Sequence, residues 1–119
     1  MKNLLIPVFI LFVGIVNGQV VPLDSVGNHV GALTTVCDSV WSTFVSKSGT
    51  VYLNFGGSFP KNTFSAVIFS KDTSKFQEYR PVEFLKHKKV CITGMIDIYK
   101  GKPQIIVKGP NQVRAEDEN

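Results

Sequence analysis

Histidine, arginine and cysteine each occur only twice in the 119 residues, and tryptophan only once. Each scarcity closes a class of chemistry. His29 and His87 stand in no catalytic spacing, and a general acid–base pair needs two groups within hydrogen-bond reach of one another. The acids Asp24, Asp38, Asp72, Glu78, Glu83 and Asp97 are scattered along the chain and suggest no such pair. There is no Gly-x-Ser-x-Gly turn and no Walker-type loop. Two cysteines with no CxxC and no neighbouring histidine do not make a zinc site. The sequence is therefore read as a non-catalytic chain with no metal and no cofactor. It also lacks an internal repeat, and its length suits one small domain.

Long apolar runs are missing everywhere except at the start. Lys2 precedes an apolar stretch from Leu4 to Val16, and Val16-Asn17-Gly18 supplies small-residue spacing for cleavage. A basic start, a short apolar core and a small residue before the cut describe a secretory signal, too short for a membrane span. Residues 1–18 are expected to be this signal peptide, with no integral membrane span after cleavage and a secreted or periplasmic destination. Removing Lys2 leaves 12 basic against 9 acidic residues. Glu116, Asp117 and Glu118 sit in a polar stretch, so residues 114–119 are expected to form an acidic, disordered tail. The remaining domain carries 11 basic and 6 acidic residues, an excess that favours an anionic partner.

What the chain has in plenty is strand patterning, which makes it all-β. In Val90–Val107, Val90, Ile92, Ile96 and Ile98 share one parity, while Cys91, Thr93, Met95, Asp97 and Tyr99 share the other. Gly94 interrupts this strand where a bend or bulge is expected. Lys100-Gly101 supplies a turn, and Pro103 opens a second strand that Gly109-Pro110 stops. Upstream, residues 19–28 read as a lead-in with a helical turn near Leu23. Strands are expected over His29–Thr43, Thr50–Phe55 and Phe64–Phe69. Residues 70–88 should hold one short helix, capped by Asp72 or Ser74 and interrupted by Pro81. Phe76, Tyr79 and Phe84 are its candidates for core contacts.

The stretch TGMIDIYKGKPQIIVKGPNQV resembles the C-terminal hairpin of small secreted bacterial OB-fold proteins of the nucleic-acid-binding type, similar to anticodon-binding domains. The matching positions are Gly94, Ile96, Tyr99, Gly101, Pro103, Gln104 and Ile105, then Gln112 and Val113. SGTVYLNFGGSFPKNTFSAVIF is similar to the second and third strands of that family. The resemblance covers about residues 29–113 and implies a five-stranded barrel with one short helix between strands three and four. It also implies that the first strand pairs with the fourth. Cys37 and Cys91 then fall on paired strands, and a cross-strand disulfide off the core face is expected, as export would permit.

OB folds bind on the outer face of strands two and three, rimmed by the loops between strands one and two and between four and five. The resemblance places Lys47, Lys100 and Lys102 on that rim, with Tyr52, Asn54 and Trp41 beside them. Aromatic rings next to cations suit a single strand, whose bases stack while its phosphates meet ammonium groups. The expected partner is single-stranded DNA or RNA, bound without sequence preference. The alternative is a glycan- or protein-binding accessory domain of the envelope. Plainer roles stand beside each residue: Trp41 and Phe44 as barrel-end cover, Tyr99 as a lock on Pro103, Asn54 as a strand-end cap, and Lys100 and Lys102 as solvated turn residues. Phe59 reads either as a loop anchor or as exposed, and Lys86 to Lys89 as a solvated connection or an added phosphate path. Nucleases that share the barrel pair arginines with acids, a pattern that Arg80 and Arg114 do not offer.

Overall fold

Period-2 alternation fixes the strands, and the computed structural model, which describes residues 19–116, shows seven of them. The long β2 (Leu33–Val45) carries Val36 and Val40 inward. β3 (Val51–Phe55) follows after a short turn, then β4 (Phe64–Ile68). β5 (Lys89–Tyr99) and β6 (Lys102–Ile106) form the expected hairpin. β2 pairs antiparallel with β3, β3 with β4, and β6 with β5, while β4 and β6 run parallel. The antiparallel β2–β5 ladder closes the circle. This is the all-β, five-stranded OB barrel, with the first and fourth barrel strands paired.

Closure buries the inner face of every barrel strand and, on β4, the outer face as well. Leu53, Phe55, Phe64, Ile68, Ile92, Ile96 and Ile105 are sealed inside. Phe55 and Phe64 tilt against one another at 5.4 Å between ring centroids. Burying each such side chain is worth about 1.5–3 kcal/mol. Ile98, which shares the parity of the core residues, lies at the barrel mouth and is exposed.

Two short strands extend the barrel beyond its expected limits. β1 (Gln19–Val21) lies parallel to β2, and a 3-10 turn over Leu23–His29 follows it. Val21 and Val26 are buried, so the lead-in contributes to the core. At the other end β7 (Val113–Ala115) pairs with β5, and the Glu116 amide donates to the Lys89 carbonyl at 2.9 Å. Arg114 and Ala115 are thus strand, not tail. The ladder partner Val90–Ile92 is apolar and supplies the packing that composition alone concealed. The expected signal peptide lies outside the described residues, as does the rest of the tail.

Between β4 and β5 there are two one-turn helices, α1 (Ser70–Thr73) and α2 (Pro81–Phe84), where one was expected. Pro81 opens the second, because the first helical position has no amide bond to lose. Neither Asp72 nor Ser74 caps a helix start. Asp72 is buried and accepts from the Lys75 ammonium at 2.9 Å. That hydrogen bond, opposed by burial and assisted by Lys71, holds its carboxyl below the ordinary 3.8. Phe76 and Leu85 are buried, and Tyr79 stacks on Phe84 at 4.7 Å.

The disulfide joins Cys37 to Cys91, which face each other in the β2–β5 ladder. Both lie on the parity opposite to Val36, Val90 and Ile92. Glu116 covers the bridge from outside, with Oε2 at 3.4 Å from Cys91 Sγ. Gly94 carries no register shift. The irregularity falls instead in β2, between Val40 and Ser42.

Candidate functional site: the groove across the outer barrel face

Side chains of opposite parity to the core project from β3 and β4 onto the outer face, and on β2 the register shift after Val40 brings Ser42 and Phe44 there as well. There they line a groove of about 810 Å³. The β5–β6 turn walls it on one side and the Ser58–Pro60 segment on another.

The groove has a polar floor. Asn54, opposite Ser65 on β4, is only 3 % exposed. Its Oδ1 accepts from Ser65 Oγ at 2.8 Å and from Asn62 Nδ2 at 3.3 Å. Its Nδ2 donates to Ser42 Oγ at 3.3 Å. Asn62 Nδ2 also donates to the Phe64 carbonyl at 3.1 Å. Asn54 therefore faces outward, as expected, but its amide is spent largely on tying β2, β3 and β4 together. It caps no strand end.

The walls are aromatic. Phe44 and Tyr52 stand opposite each other on β2 and β3, 6.1 Å apart at an interplanar angle of 37°. Phe59 and Tyr99 come from the facing loops. Exposures of 57 % for Phe44, 72 % for Phe59 and 56 % for Tyr99 leave these rings available for stacking. Tyr99 and Pro103 both line the groove.

The β5–β6 turn brings the cations. Lys100 and Gly101 both have positive φ, 51° and 79°, as a type I′ hairpin turn requires. Lys100 Nζ sits 5.4 Å from the Tyr99 ring centroid. Lys102 lies one residue past the turn, and its Nζ donates to the Pro60 carbonyl at 2.9 Å and the Asn62 carbonyl at 2.8 Å. Among the described residues, the Lys100 ammonium meets no protein carbonyl, whereas that of Lys102 meets two, and no carboxylate lines the groove.

Four of the six expected site residues meet here: Tyr52, Asn54, Lys100 and Lys102. Trp41 and Lys47 are not among the lining residues. Trp41 falls within the register shift between Val40 and Ser42, where strand parity no longer predicts a face. Lys47 lies on the tight Ser46–Gly49 turn, whose hydroxyls bond one another and the Thr50 amide. Phe59 and Gln104 also line the groove and were not expected in it, and Phe44, expected at the border of the first loop, lines it too. An apolar ring between serine and proline, as in Ser58-Phe59-Pro60, was the available signal for Phe59.

No protein-family model matches the chain, and no curated protein matches it. Among solved structures it is similar to a chain described as an aspartyl-tRNA synthetase from Leishmania major Friedlin. The likeness has a TM-score of 0.53 at 9 % identity. It covers 82 % of this chain and 20 % of the other, about a fifth of that protein's length. At that identity the likeness is one of fold.

Proposed function

We propose that the protein is an exported, non-catalytic module that binds single-stranded nucleic acid in this groove. The observation that carries the reading is the groove wall: four aromatic side chains around a polar floor, Lys100 at the rim, and, among the described residues, no carboxylate in the lining. Base stacking on such rings is worth about 1–3 kcal/mol per base and tolerates any sequence. The structural neighbour, an RNA-associated enzyme by its printed name, supports the same ligand class. The apolar N-terminal stretch and the disulfide support export.

A glycan is the second reading. The amide and hydroxyl floor of Asn54, Ser42, Ser65 and Gln104 between aromatic walls also suits a sugar ring. Fluorescence anisotropy with labelled oligo-dT over a salt series separates the two. A nucleic acid held through Lys100 gives binding whose log K falls with log[salt] by ~0.7 per phosphate contacted. Lys100→Glu then removes that dependence. Absence of oligo-dT binding at low salt, with retention of a neutral oligosaccharide, would favour the glycan.

A further inference from the structure

Lys102 has the sequence position of a phosphate contact but the bonding of a strut. We propose that Lys102 is a positioning residue that holds the Phe59 ring as a wall of the groove. This rests on the nucleic-acid reading for its ligand, but the strut itself does not.

The argument begins with the β3–β4 loop. It leaves β3 through Gly56 and Gly57, at φ 80° and 142°, two residues that resist bending very little. Within the loop, the Lys61 amide donates to the Ser58 carbonyl at 2.8 Å, which makes one local turn. Phe59 is 72 % exposed, so apolar packing contributes little to holding its ring. The buried Asn62 side chain and the Thr63 amide anchor the far end of the loop to β3 and β4, and the cross-link to its Phe59–Pro60 tip is Lys102 Nζ, whose two carbonyl acceptors, Pro60 and Asn62, bracket Lys61. Charge-assisted hydrogen bonds are the stronger kind. The strut therefore fixes the loop against β6, whose partner β4 carries the groove floor. A phosphate would have to compete with two carbonyls for the same ammonium. Lys100, which faces no such competition, is the phosphate contact.

The two roles predict different readouts. Tryptophan fluorescence is made local by Trp41→Phe combined with Phe59→Trp, which moves the sole tryptophan onto the loop. In that full-length chain, oligo-dT should quench the new tryptophan. Adding Lys102→Met should abolish the quench at saturating oligo-dT and weaken affinity about tenfold. The salt slope should not change, whereas Lys100→Met should lower it by ~0.7. Lys102→Arg, which can span both carbonyls, should restore the quench. In the ligand-free chain, Lys102→Met should accelerate amide exchange at Lys61 by about tenfold.

A salt slope that drops with Lys102→Met while the quench persists would overturn the proposal in favour of a direct phosphate contact. Unchanged Lys61 exchange would overturn it as well. If Lys102→Met does not fold, the Lys102 Nζ resonance of the native chain decides. It should stay put when oligo-dT is added, and a large shift refutes the strut. If the native chain binds no oligo-dT, the function reading fails, while the exchange measurement still tests the strut.

Discussion

The β2–β5 seam and the groove face are built on opposite plans. The seam runs from Leu33 opposite Met95 to Ser39 opposite Lys89 and is stitched by the Cys37–Cys91 bond. β1 and β7 flank it, and Thr35 and Thr93 share a hydroxyl hydrogen bond of 2.8 Å across it. The groove face has a rigid floor but walls made of loops, one of which is held by the Asn62 side chain at its β4 end and by Lys102 from β6. Stability is concentrated where the barrel closes, and the opposite face is left adaptable. A binding surface needs rings that can adjust to a ligand, and a barrel needs a seam that does not open.

Breaking the disulfide tests that division most strongly. Cys37→Ala with Cys91→Ala frees a link that spans 54 residues and should lower unfolding free energy by roughly 2–5 kcal/mol in urea titration. Below the unfolding midpoint, oligo-dT affinity should stay within about twofold, since none of the groove-lining residues belongs to the paired stretches of the seam. A parallel fall in affinity would show that the two regions act as one unit.

Gly94→Ala sharpens the comparison from within β5. A Cβ there would lie 2.5 Å from Ile105 Cγ2 and 3.0 Å from Gln112 Nε2. Ile105 is fully buried, and Gln112 bonds the Thr93 and Ile106 carbonyls at 2.9 and 3.1 Å. Overpacking at such a point costs about 1–3 kcal/mol. Thermal or urea unfolding should register this loss, again with binding retained. The glycine serves close approach between β5 and β6, a role that a single sequence cannot separate from a bulge.

The same limit explains what was legible and what was not. Val90–Val107 could be read because alternation, the Lys100-Gly101 turn and Pro103 all pointed one way. The disulfide followed once the first and fourth strands were paired. β1 and β7 were hidden because three-residue strands are too short to show a period, and their stability comes from neighbours distant in sequence. Trp41 was expected beside the first loop, but it sits in the register shift between Val40 and Ser42 and is not among the groove-lining residues. Lys102 looked like a free cation because no local pattern announces two carbonyls some 40 residues away. Tyr52 could be placed by strand alternation and Lys100 by the Lys100-Gly101 turn signal, and both line the groove.

Lys100 gives the smallest effect and the cleanest separation between fold and site. Its φ of 51° places a non-glycine side chain in the left-handed region, which asparagine tolerates better than lysine. Lys100→Asn should therefore stabilise the hairpin by about 0.5 kcal/mol, read as a raised urea midpoint at unchanged slope. The same substitution removes the free ammonium beside Tyr99. Oligo-dT should bind more weakly at low salt, and the dependence of log K on log[salt] should shrink by ~0.7. Stability and affinity then move in opposite directions from one residue. That result would mean that lysine is kept at a strained turn position for what it contacts. If both fell together, Lys100 would be holding the hairpin, and the groove would have to draw its charge from elsewhere.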